Sequence, residues 1–179
     1  MGTLRWLPLA LAAPALVQAA QFATLDEAAK RAFPEATAWR DQLVQATADD
    51  IKALAALGGA TPRTSTWRAL VALKGEQVLG VIVADAVVGK FELIDYAVAV
   101  GSDGHVRSIE VLNYRESHGY EIKLPAWRKQ FVGKDARAPL RIGDDIANIS
   151  GATLSCTHVT DGVRNIVALL ERLHASGRL

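Results

Sequence analysis

Four short runs between Trp67 and Tyr114 decide what this chain can fold into. Trp67 to Leu73, Gln77 to Ala84, Leu93 to Val100 and Val106 to Tyr114 are rich in Val, Ile, Leu and Tyr, and turn residues separate them. Such side chains suit a pleated, half-buried surface, so the runs predict strands. Gly101-Ser102-Asp103-Gly104 reads as a hairpin turn, because Gly and Asp tolerate the left-handed backbone that such turns use. Connections this short favour an antiparallel meander.

Helical spacing flanks that region. Leu25, Ala28, Ala29, Ala32 and Phe33 follow the cap residue Thr24, and Pro34 closes the pattern. A second helix is expected from Thr47, with Asp49 and Asp50 in its first turn and Ile51, Leu54 and Leu57 on its apolar face, ending at Gly58-Gly59. Thr61 to Thr66 reads as loop. Pro125 to Phe131 predicts a short helix ended by Gly133, and Ala136 to Gly143 a connection with room for one more short strand. Val159, Val163, Ile166, Leu170 and Leu173 then alternate by four and three, the stripe of a helix packed on a sheet. The fold class is α+β, an antiparallel meander packed against helices, with the last helix following Ser150-Gly151-Ala152-Thr153.

Half of the 179 residues are hydrophobic, enough for one core. Twenty Lys and Arg face 19 Asp and Glu without long blocks of one sign, so no footprint for nucleic acid or an anionic membrane appears. Arg5, the apolar run Leu7 to Val17 and the small residues Ala19 and Ala20 read as a signal peptide over residues 1 to 20. The run is shorter than the roughly 20 apolar residues that span a bilayer. Residues 21 to 179 are therefore expected to be one exported domain, opening on a helical segment and without stable membrane insertion after cleavage.

The stretch Ile149-Ser150-Gly151-Ala152-Thr153-Leu154-Ser155 sets small and hydroxylated residues immediately before a strong helix. Unpaired N–H groups and the dipole at a helix start attract phosphate, and small side chains allow close approach. By spacing alone the same residues also read as a plain cap, with Ser155 or Thr157 capping and Gly151 serving a tight turn.

The segment resembles the flavinylation motif of the FMN-binding domain family, which includes subunits of the Rnf complex and of the sodium-pumping NADH:quinone oxidoreductase. A second stretch agrees with it: Asp103-Gly104-His105-Val106, Ile109 to Leu112 and Glu116-Ser117-His118-Gly119 are similar to the family's strand, turn and strand leading to a flavin-contacting loop. The resemblance covers roughly residues 70 to 173. It implies FMN as cofactor, held by a phosphoester to Thr153, with Ser150, Gly151, Ala152, Leu154 and Ser155 around the phosphate. It further implies Glu116, Ser117, His118 and Gly119 at the ring, a flavin transferase for maturation, and a membrane or periplasmic redox partner. The family usually has an acidic residue three positions before the motif's Ser; here that position is Ala147, with Asp144 and Asp145 upstream.

The flavin itself carries the redox chemistry, so no catalytic acid or base is required. No G-x-S-x-G, P-loop or dinucleotide fingerprint occurs, which favours an electron carrier or redox subunit over a self-standing enzyme. The alternatives are non-covalent FMN or a flavin-free exported binding or assembly module. His118 is a candidate to tune the flavin or pass a proton. Cys156 and His158, with His105 or His118, lack dense ligand spacing, so no metal site is expected. Trp127 and Phe131 read as core more readily than as flavin neighbours, and Arg128, Lys129 and Lys134 as a solvated face.

Overall fold

The computed structural model describes residues 20–179. The apolar run Leu7 to Val17 lies outside the described residues. Six strands form one antiparallel sheet: β1 (Ala20–Gln21), β2 (Ala38–Gln45), β3 (Thr66–Lys74), β4 (Gln77–Val88), β5 (Leu93–Gly101) and β6 (Val106–Tyr114), in the order β1-β6-β5-β4-β3-β2. The helices are α1 (Leu25–Ala32), α2 (Ala48–Ala55), α3 (Pro125–Arg128) and α4 (Thr153–Ala175). The α+β meander read from the sequence is the observed architecture. The hairpin turn at residues 101–104 forms as expected, with the left-handed conformation at Gly104.

Alternation along β5 shows how the layers form. Ile94, Tyr96, Val98 and Val100 turn to one face and join Val159, Val163, Ile166, Leu170 and Leu173 of α4 in the main core. Ala97 and Ala99 turn to the other face, against Ala28, Ala29 and Phe33 of the α1 segment. Both faces of β5 are thus buried, and alanines on the second face leave room for α1 to lie close. Thr24 and Thr47 each cap a helix through a reciprocal capping box, with Glu27 and Asp50 as partners.

Three local expectations change. β2 is an additional edge strand, paired with β3 from Ala38↔Leu73 to Gln45↔Thr66. It buries only Val44, so it carries little apolar alternation to read. Ala136 to Gly143 forms no strand, because Asp145 accepts hydrogen bonds from the N–H groups of Leu140 (3.3 Å) and Arg141 (2.9 Å) and curls the segment.

The third change is in β4, which runs to Val88, beyond the expected Ala84, because Asp85 has inward partners. Trp67 Nε1 donates to it at 3.0 Å, and the Tyr96 hydroxyl donates to its other oxygen. The longer strand leaves a tight turn at 89–92, closed by Gly89 N–H to the Glu92 carbonyl at 2.8 Å. No helix among the described residues is long and apolar enough to cross a membrane.

Candidate functional site

The β4–β5 tip, the loop after β6 and the start of α4 meet at one end of the sheet. Neither Ser155 nor Thr157 caps α4: the N-cap position is Ala152, and no side-chain cap hydrogen bond is made there. First-turn N–H groups have no carbonyl partner within a helix, so this end offers open donors. Thr153 is the first residue of α4 and is exposed. Its Oγ1 accepts a hydrogen bond from Asn148 Nδ2 at 3.0 Å, which orients the hydroxyl. Ser150 and Gly151 are exposed, and Gly151 has a φ of 85° with open space where a Cβ would stand. Leu154 is exposed. Ser155 is buried.

Two sequence segments 33 positions apart touch here, since a Cβ on Gly119 would stand 2.9 Å from the Cβ of Ala152 and 2.7 Å from the Tyr114 hydroxyl. Gly119 also has a φ of 84°, so both space and backbone require glycine. The Tyr114 hydroxyl donates to the His118 carbonyl and fixes the loop from beneath; burial pushes this hydroxyl's pKa up. Ser117 and His118 are exposed, with Ser117 Oγ 2.9 Å from His118 Nδ1.

The Glu116 carboxylate is buried and engaged by the chain's own backbone. One oxygen accepts the N–H groups of Phe91 at 2.6 Å and Glu92 at 3.0 Å. Burial alone would raise its pKa, but the amides of Glu92, Phe91 and Lys90, with the Lys90 charge, hold it below the ordinary carboxylate range. His158, on α4, donates its Nδ1 proton to the Val88 carbonyl at 2.6 Å and ties the same hairpin to the helix.

Other candidates are structural. Trp127 and Phe131 are buried core partners 5.1 Å apart, and Trp127 Nε1 donates to the Ala147 carbonyl at 2.8 Å. Ala147 N–H in turn donates to Gln130 Oε1 at 2.8 Å, which secures the turn before Ser150. Arg128 pairs with Glu110 at 2.7 Å and Lys134 with Asp145 at 2.9 Å, while Lys129 is exposed. Cys156 is buried and its thiol pKa is pushed up by that burial. No group of three or more His, Cys, Asp and Glu that could hold a metal occurs among the described residues.

A groove of about 510 Å³ lies elsewhere, bordered by Arg40, Asp103, Glu171 and His174. Leu170 on its wall sits 17 residues along α4 from Thr153, roughly 25 Å at helical rise. The end at Thr153 is instead an open shelf, suited to a ligand anchored by its phosphate. The cradle fits FMN: uncapped donors, an exposed hydroxyl and small residues stand together at the start of α4, and the hairpin tip and the loop after β6 expose Phe91 and Tyr120.

Sequence reasoning misses Asn148, Lys90 and Phe91. An apolar Phe91 at the tip of a hairpin is a readable signal; Asn148 has none.

This arrangement is an open shelf with unpaired helix-start donors on an α+β scaffold. Residues 89–168 match the family model of the FMN-binding domain, from the hairpin tip through much of α4. The chain therefore carries an FMN-binding domain of that family, and its cofactor is FMN. A solved structure of NqrC from Shewanella oneidensis has a similar fold, with a TM-score of 0.53 and 17% identity over 82% of this chain and 88% of that one. No curated protein gives a significant match.

Proposed function

We propose that this is an exported electron-transfer protein in which Thr153 carries FMN through a phosphoester. The observation that carries the reading is the Thr153 hydroxyl, exposed at an uncapped helix start and oriented by Asn148. The first-turn N–H groups hold the phosphate, and Ser150, Gly151 and Ala152 let it approach. Leu154 and Ser155 continue the cradle, and Ser117, His118 and Gly119 border the ring in the loop that Glu116 opens.

Bound FMN supplies reversible electron chemistry, and the protein sets its potential through hydrogen bonding and polarity. A covalent bond prevents loss of the flavin in a compartment without its own supply. A flavin transferase makes that bond, and electrons pass to and from a membrane or periplasmic redox partner. The likeness to NqrC favours a place beside such a partner.

Ala147 favours a second reading, non-covalent FMN, because the family's usual acidic residue before the motif is replaced. Intact mass of the protein recovered from the periplasm of a host containing the transferase separates the two. The expected mass is that of a chain cleaved near Ala19 or Ala20 plus one FMN less one water. A yellow protein whose denatured chain has no added mass supports non-covalent FMN. An uncleaved, colourless chain contradicts the proposal.

A further inference from the structure

We propose that Phe91 forms the wall on which the isoalloxazine ring rests, and that Glu116 is a positioning residue that holds Phe91 in place through the hairpin backbone. The inference builds on FMN being anchored at Thr153.

Phe91 is 73% exposed, although its turn is fastened by the Gly89–Glu92 backbone bond and by Glu116. Isolated exposed apolar side chains are common and need no explanation. This one differs in how it is held. The buried Glu116 carboxylate accepts the Phe91 and Glu92 N–H groups, and Gly89 packs so closely that a Cβ there would stand 2.5 Å from Glu116 Oε1. Val88, at the base of the turn, is bonded to His158. His158 is five residues from Thr153, so this tie lies roughly 7.5 Å along the helix axis from the anchoring hydroxyl.

Lys90 places its ammonium 4.9 Å from the centre of the Phe91 ring. Leu154 and Tyr120 are also exposed, and they come from the other two elements of the shelf. Three elements that meet at this end of the sheet thus each expose one apolar side chain. A planar, electron-poor ring tethered at Thr153 is the occupant that matches them, since aromatic rings pair by offset stacking. The geometry also assigns Glu116 a task that does not involve touching the flavin: the carboxylate is buried and its Oε1 accepts the tip's own amides.

The test uses flavin-loaded protein. Stacking on an aromatic side chain quenches flavin emission, so Phe91→Ala is expected to raise flavin fluorescence severalfold at unchanged adduct mass, while Phe91→Trp keeps it quenched. Glu116→Gln, which keeps the shape but weakens the acceptor, is expected to raise fluorescence in the parent and to add nothing in the Phe91→Ala background. Unchanged fluorescence and lifetime in Phe91→Ala overturn the proposal, including the case where only exchange with a redox partner slows, which makes Phe91 a docking contact. A Glu116→Gln effect that persists in the Phe91→Ala background shows direct flavin contact and overturns the positioning role. If the parent chain carries no adduct, the covalent reading fails by itself. The wall is then tested by titration with free FMN, where Phe91→Ala must weaken binding severalfold and an unchanged Kd overturns it.

Discussion

Thr153→Val is expected to abolish covalent flavin attachment while leaving the fold intact. Valine keeps the β-branched shape at the first position of α4 and deletes only the oxygen that forms the bond. The lost contact is the exposed hydrogen bond from Asn148, worth about 1 kcal/mol at most. Nearby hydroxyls are poorly placed to substitute. Ser155 is buried, and Thr157 is half-buried one turn further along. Ser150 precedes the helix and lacks its first-turn donors. In-gel flavin fluorescence after denaturation reads the outcome. The parent should fluoresce, Thr153→Val should not, and Thr153→Ser should retain part of the signal. Fluorescence that persists in Thr153→Val contradicts the assignment.

The largest stability effect is expected at Gly162, in the middle of α4. A Cβ there would stand 1.9 Å from the Tyr96 hydroxyl and 3.3 Å from Val87 Cγ1. Tyr96 has no exposure and cannot move into solvent. Its hydroxyl donates to Asp85, which also receives Trp67 Nε1. Gly162→Ala must either displace α4 from the sheet or break that buried bond. The expected cost is about 3 kcal/mol, combining overpacking with a buried group left unpaired. In a domain of this size that lowers Tm by roughly 10 °C. Tyr96→Phe removes the obstructing oxygen, so Gly162→Ala should cost far less in that background. A loss below about 1 kcal/mol in the parent contradicts the packing argument.

Burial decides which parts of this architecture can be read from the residues alone. β3 to β6 and α4 are legible because each presents a repeating apolar face to one core. β2 is not, since Ala38–Gln45 is an edge strand whose ladder partners come from β3 rather than from its own side chains. The end of β4 is masked by Asp85, a polar residue whose partners Trp67 and Tyr96 are distant in sequence. At the site, the small and hydroxylated run before α4 stands out because chemistry near a helix start demands such residues. Its contact with Gly119 does not, because nothing local couples Ala152 to a residue 33 positions earlier. Glu116 can be singled out, but the backbone amides it serves carry no side-chain signature. Phe91 is apolar at a hairpin tip and so stands out, but its fastening by Glu116, 25 positions later, does not.

Site-resolved peptide mass mapping tests the central claim most directly. Trypsin releases Ile142 to Arg164, a peptide that contains Ser150, Thr153, Ser155, Thr157 and Thr160. On protein matured with a flavin transferase, fragmentation of this peptide should place the mass of one FMN less one water on Thr153 alone. The same added mass on another of these hydroxyls, or an unmodified peptide from fully matured protein, would contradict the account.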